Sequence, residues 1–323
     1  MRSIQRSGVD NRAMFKFVLR RLFWIVITLL VVSILTFGLV FVTGDPAVAL
    51  TPVKPGSTPT QDQIERTRKA YGLDRPVPVQ YAIYMSKVLQ GDLGESYYFR
   101  KPVLTLMLEK ISTTILLAGA IIVVALAIGI PLGVLAAFKR NTGIDRGFII
   151  GSTVLIAAPP FFLALMLLFF FGFVFKWFPL GGTGTPRHFV LPVLSIALPA
   201  GMGYALLLRT TLLNLLGTDY GRAARAKGLS AIAVMFKHIL PNALIPVVTV
   251  ASLDLAILLT GIVLIEQIFG IPGIGQQTYQ AVTNRDIPVV MGSVFFGALL
   301  IGLGGLLADL LIARIDPRIR LTS

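Results

Sequence analysis

The chain has 323 residues, 55% hydrophobic and only 14% charged, whereas soluble domains carry about a quarter charged residues; this is the composition of a polytopic membrane protein. No cysteine is present, which excludes disulfides and thiolate metal sites. The net charge of +14 leaves a choice between nucleic-acid binding and Lys/Arg-rich cytoplasmic loops.

Six apolar runs reach the roughly 20 residues needed to cross hydrocarbon: 22–42, 115–138, 149–175, 189–208, 243–269 and 289–313. All six are expected to be helices, because backbone groups in lipid must bond within their own segment. The first, LFWIVITLLVVSILTFGLVFV, follows Arg20-Arg21 and precedes Ala47-Val48-Ala49, as a signal peptide would. It exceeds the ~7–15 residues of a signal core and is read as a retained span. Met14 stands as an alternative start to Met1.

Between the first two runs, 43–114 has mixed charges. TPTQDQIERTRKAYG predicts a short helix with Thr60 as N-cap and Gly72 past its end. Arg75-Pro76-Val77-Pro78 breaks the chain, and VQYAIYMSKVLQG reads as an amphipathic helix with Tyr81, Tyr84, Met85 and Val88 on one side. GDLGES is a turn. The segment is expected to fold as a small helical element outside the membrane. Pro159-Pro160 inside the third run removes backbone hydrogen bonds and predicts a kink or break. A packing kink is the simpler reading, a hinge beside a translocation path the functional one.

Basic residues gather in the N-terminal segment (Arg2, Arg6, Arg12, Lys16, Arg20, Arg21), in 139–147 (Lys139, Arg140, Arg146), in 209–242 (Arg209, Arg222, Arg225, Lys227, Lys237) and at the C-terminus (Arg314, Arg318, Arg320). The short loops opposite carry only Lys176, Arg187 and Arg285. That bias places both termini in the cytoplasm. It also scatters the charge over four segments, where nucleic acid would want one stripe, so no nucleic-acid partner is expected.

Residues 220–242 read YGRAARAKGLSAIAVMFKHILPN. Gly217 ends the fourth run. Thr218 and Asp219 suit the start of a short helix through Lys227, with Gly228 as its stop. Ser230 caps a second helix, AIAVMFKHIL, and Pro241 interrupts the pattern before the fifth run. On the helical period, Tyr220, Ala223, Ala224 and Lys227 share one side and Gly221, Arg222, Arg225 and Ala226 the other. The low alanine face suits docking of another protein. A membrane anchor would carry Leu, Phe or Trp there, and this helix has none. The second piece, with Ile232, Val234, Met235, Phe236 and Ile239, packs on the membrane or the bundle. The residues alone leave docking and anchoring level.

This stretch resembles the EAA loop of ABC-importer permeases: E-A-A, three residues, G, nine residues, then I-x-L-P. Arg222-Ala223-Ala224 stands at E-A-A, Gly228 is in register and Leu240-Pro241 closes the pattern; Arg222 replaces the Glu and His238 the Ile. RAARAKGLS is similar to the wording of dipeptide, oligopeptide and nickel permeases. GDPA (44–47), YGLDRPVPVQY (71–81), GDLGESY (91–97), GIVLIEQIFGIPGIGQ (261–276), RDIPVVMGSV (285–294) and ARIDPRIR (313–320) resemble the same subgroup in order.

The resemblance implies an all-α membrane protein with the six-span type I importer permease fold, in a bacterial or archaeal inner membrane. It divides the chain into a cytoplasmic N-terminus (1–21), the first span (22–42), the extracytoplasmic element (43–114), a five-helix core (115–313) containing the coupling loop 209–242, and a cytoplasmic C-terminus (314–323). It implies that Tyr220, Arg222, Ala223, Ala224, Arg225, Lys227, Gly228, Leu240 and Pro241 couple to an ATPase groove. The expected partners are membrane lipid, a second homologous permease, two cytoplasmic ATPase subunits and an extracytoplasmic binding protein. The expected cargo is di- or oligopeptide, with nickel, glutathione or oligosaccharide as alternatives. The sequence has no G-x-x-x-x-G-K-[ST] phosphate loop, so ATP and Mg are assigned to the partner ATPases and no cofactor to this chain.

Acids inside spans are costly and often functional. Asp254 is nearest mid-span and has no basic partner in the sequence; it lines a wet cavity, binds the cationic end of a substrate, or pairs with the partner permease. Glu266 resembles a carboxylate of the family that orders the outer turn. Asp309 is expected to pair with Arg314 or backbone. Asp254, Glu266, Pro159 and Pro160 are the candidates for a translocation pathway or outer gate. His188 and His238 are far apart and lack ligand spacing, so no metal is expected. No nucleophile–base set stands out, so an enzyme is not expected. A secondary transporter or channel would show inverted repeats, and no convincing pair is legible.

Overall fold

The computed structural model describes residues 11–42, 45, 47, 48, 51, 58–70, 72–218 and 230–315. Helix α1 (Asn11–Val42) is followed by α2 (Gln61–Ala70) and α3 (Val77–Leu89), the element between the first two spans. Then come α4 (Val103–Phe138), α5 (Gly143–Ala157) and α6 (Pro160–Leu167), which continues through a π-helical segment, Leu168–Val174. Next is α7 (Arg187–Gly217). A short helix (Ala231–Ala233) and a π-helical segment (Val234–Ile239) lead into α8 (Leu240–Leu258). The chain closes with α9 (Val263–Ile268), α10 (Ile274–Thr283) and α11 (Ile287–Ile315). Among the described residues, five helices are long and apolar enough to cross a membrane. The pair α5–α6, bent by 98° at its break, makes a sixth if counted as one broken span.

The element between spans one and two follows its sequence closely. A capping box opens α2: Gln63 N donates to Thr60 Oγ1 at 3.4 Å and Thr60 N to Gln63 Oε1 at 2.9 Å. Gly72 beyond its end has φ +67°, the left-handed turn glycine favours. The tyrosine side of α3 meets α1, with Tyr81 Oη 2.8 Å from Ser33 Oγ and the Phe37 ring 5.5 and 5.7 Å from Tyr81 and Tyr84.

The span boundaries differ from expectation in five places. The third run begins at Gly143 and breaks completely, because Ala158 is extended (ψ 128°) ahead of Pro159, as a residue before proline prefers. The fourth helix runs past the apolar stretch ending at 208 to Gly217, the expected stop, so Arg209 lies within it and not in the coupling loop. Pro241 does not interrupt its helix; Val234–Leu258 is one span. The wider π turn just before it shifts the bonding register where proline has no N–H to give. The fifth run ends at Leu258, not 269, since Gly261 turns the chain at φ +103°. Glu266 is therefore in the separate helix α9, not inside a span. The second helix likewise starts at Val103, across the expected boundary at 114.

The closest packing joins α4 to α7. Ala125, Gly129 and Gly133 recur every fourth residue on α4, and Ala197, Gly201 and Ala205 on α7. A Cβ on Gly129 would lie 2.7 Å from Gly201 O, and one on Gly133 2.7 Å from Ala205 O. In lipid, where helices gain little from the hydrophobic effect, small residues permit the close approach that dispersion needs.

Charged contacts tie the periphery. The Arg209 guanidinium grips Asp145 with two bonds, Nε to Oδ1 at 2.6 Å and Nη2 to Oδ2 at 2.7 Å. Asp145, 2% exposed, also accepts from Asn141 N at 2.9 Å. This clasp fixes the start of the broken span to α7. Buried Asp286 accepts from Ser96 Oγ at 2.5 Å and from Tyr97 N and Tyr98 N, both at 3.2 Å, joining the turn before α4 to the foot of α11. Asp309 pairs with Arg21 of α1; among the described residues no backbone group bonds its Oδ2, and the Arg314 side chain lies outside them.

Gly129→Val should lower the unfolding free energy of the detergent-solubilised chain by about 1–3 kcal/mol through overpacking. Gly119→Ala, on the same helix with nothing within 4 Å of its added Cβ, should be neutral or stabilise by up to about 1 kcal/mol. Thermal unfolding followed by size exclusion measures both, and equal stability would remove the seam from this role.

Candidate functional site

Helices α4, α5, α6, α7 and α8 enclose an open-sided cavity of about 480 Å³. Ile121 comes from α4, Ile156 and Pro160 from the two halves of the broken span, Tyr204 from α7 and Asp254 from α8. The wall is apolar apart from one pair: Tyr204 Oη donates to Asp254 Oδ2 at 2.7 Å. Among the described residues no cation lies within ion-pair distance of Asp254. Asp254 is four residues from the end of α8, yet Tyr204 lies about midway along α7. The pair therefore joins the middle of α7 to the last turns of α8.

Pro160 and Asp254, far apart in sequence, thus share one cavity. Pro159 caps α6 and is not in its wall. Glu266 is elsewhere, 0% exposed. Its carboxylate accepts from Thr114 Oγ1 at 3.0 Å and from Gln276 N at 2.9 Å, while Ile274 N donates to Thr114 Oγ1 at 3.0 Å. Any side chain at Gly273 or Gly275 would collide with this carboxylate. Burial pushes the Glu266 carboxyl up from its usual range, against the lowering effect of these hydrogen bonds. The group stitches α9, α10 and α4 together.

Of the coupling residues, Tyr220, Arg222, Ala223, Ala224, Arg225, Lys227 and Gly228 lie outside the described residues. Leu240 is half-buried against the main core, and Pro241 is exposed in the first turn of α8. The flanks of the segment are defined. Thr218, expected to open the next helix, donates its hydroxyl back to Leu215 O at 2.7 Å and closes α7. Ser230 Oγ accepts from Ala233 N at 3.2 Å, the expected cap. Val234, Met235 and Ile239 are buried in the main cluster, so this piece packs on the bundle and leaves Ile232 and Phe236 exposed.

Sequence reasoning missed Tyr204, Thr114 and the Asp145–Arg209 clasp. A hydroxyl within an apolar run was the available signal for the first two. Their carboxylate partners lie 50 and 152 residues away, a pairing no local pattern carries.

A bundle of long apolar helices around an internal cavity, with one helix pair bent by 98°, is the architecture of a polytopic membrane protein. The chain belongs to the family of binding-protein-dependent transport system inner membrane components, which matches residues 129–321, with the family's N-terminal part matching 14–118. It is the multi-pass membrane subunit of an ABC importer, not an enzyme. It is 36% identical over 321 residues to a Brucella suis protein provisionally named a peptide permease, covering 96% of this chain and 100% of that one. It is 34% identical over 311 residues to the dipeptide transport system permease protein DppB of Lactococcus lactis subsp. cremoris, covering 95% and 100%. In fold it is similar to the inward-facing MetNI methionine ABC transporter (TM-score 0.53, 20% identity, 66% of this chain and 97% of that one). An amino acid ABC transporter is similar too (TM-score 0.50, 19% identity, 65% and 94%).

A raised carboxyl contributes its stability fully below its ordinary pKa of 4.5 and loses it as pH rises through the raised value. Wild-type protein should therefore lose melting temperature as pH rises above the ordinary carboxyl value of 4.5, and Glu266→Gln should lose that slope. Parallel melting curves for the two proteins would contradict the assignment.

Proposed function

We propose that this chain is the permease subunit of an ATP-driven importer of di- or oligopeptides. The observation that supports this most is identity above a third, end to end, with a protein named a peptide permease. The identity to a named dipeptide permease adds to it. In this reading the chain pairs with a second, homologous permease and two cytoplasmic ATPase subunits. An extracytoplasmic binding protein delivers the cargo. Both termini and 219–229 face the cytoplasm, and α2, α3, α9 and α10 face outward.

The mechanism follows from connectivity. Residues 219–229 join α7 to the helix that becomes α8. Tyr220, Arg222, Ala223, Ala224, Arg225, Lys227 and Gly228 dock on the ATPase, with Leu240 and Pro241 closing the segment. A displacement there is delivered to both helices that carry the Tyr204–Asp254 pair. The Asp145–Arg209 clasp takes α5 with α7, so the broken span and Pro160 follow. The cavity changes shape while Glu266 and Asp286 hold the outward turns. ATP and Mg are held by the partner ATPases.

Co-expressed ATPase should co-purify with this chain, and Gly228→Asp or Ala224→Glu should lower both its recovery and transport by about tenfold, the loss expected of one disrupted interface anchor. Unchanged association and transport in both variants would sink the docking assignment. Labelled dipeptide uptake should require the binding protein; competition by nickel or sugar and not by peptides would overturn the cargo.

A further inference from the structure

We infer that the cavity is a binding station for the cargo's protonated amino terminus, with Asp254 as the ammonium acceptor and Tyr204 as the residue that positions it. This rests on the peptide-importer reading.

Asp254 spends one hydrogen bond on Tyr204, through Oδ2. Among the described residues nothing donates to Oδ1. A carboxylate in an apolar, membrane-depth wall is costly unless a cation or several donors answer it. Among the described residues, Asp254 has no cation and one donor, Tyr204. Among the described residues, the groups lining the wall from α4, α5 and α6 are apolar, and Tyr204 on α7 is the sole other titratable side chain in it. The site therefore offers a carboxylate oxygen to a small cation. A cavity of about 480 Å³ falls within the size of small-molecule pockets.

The chemistry selects an amino terminus over other cations. An ammonium is compact and carries three donors, enough to engage the free oxygen in a charge-assisted bond. It is present in every unmodified peptide whatever the side chains. Apolar walls such as Ile121, Ile156 and Val250 tolerate varied side chains without reading them. One fixed acceptor in an unselective chamber is what a carrier of many peptides needs.

The test uses the complete importer with its binding protein in proteoliposomes, carrying labelled dialanine. The readout is the ratio of wild-type to Asp254→Asn initial rates across pH, which cancels any pH dependence of the binding protein. At about pH 6.5 the ratio should be about tenfold, falling toward one above about pH 8.5 as the α-amino group loses its proton. Tyr204→Phe, which keeps the ring volume, should show a smaller loss with the same pH course. Co-purification of the ATPase confirms assembly of each variant. A ratio that stays constant with pH would assign Asp254 to packing or to a permanent cation on the second permease, and would overturn the inference. A ratio of one throughout would overturn it too. If the wild-type importer carries no dialanine at any pH, the peptide reading itself falls.

Discussion

The close contact of α4 with α7 is the constraint on which the rest of the bundle depends. Backbones this near leave no room for a Cβ at Gly129, Gly133 or Gly201. Dispersion between helix surfaces must hold the pair, because lipid offers little incentive to bury apolar side chains. Once the two longest core helices are locked, α8, α5 and α6 pack around them. Where α6 turns away from α5, the cavity remains.

That cavity exists because the helices around it are imperfect. Pro159-Pro160 ends one helix and starts another at 98°, and Pro199 lies in the neighbouring stretch of α7. Freed backbone groups are tolerated at membrane depth where they face protein or a cavity. Proline breaks thus make space within the bundle, and Asp254 faces that space with Tyr204 as its hydrogen-bond partner.

Each buried carboxylate outside the cavity is answered differently. Asp145 has a bidentate guanidinium, Asp286 has a hydroxyl and two backbone N–H groups, and Glu266 has a threonine and a turn. All three join segments distant in sequence, at the ends of helices. They make the ends stiff and leave shape change to the middle. The difference from Asp254 lies in its partners: one neutral phenol, and a cavity on the other side.

Length and apolar runs were enough to read five spanning helices and the bent pair counted as a sixth, the helical element after the first, and the capping box at Thr60. Local chemistry determines these, since about 20 apolar residues in lipid have no alternative to a helix. The family was legible too, because its motifs are contiguous. Span ends were misread where charge suggested a loop: Arg209 is helical because Asp145 neutralises it, and the run through Glu266 is broken by one glycine turn. Tertiary structure alone decided that Pro160, Tyr204 and Asp254 meet, that Glu266 bonds Thr114, and that Asp309 faces Arg21. A helix shows in its own sequence which face is apolar, but the partner each polar group finds depends on how the helices pack.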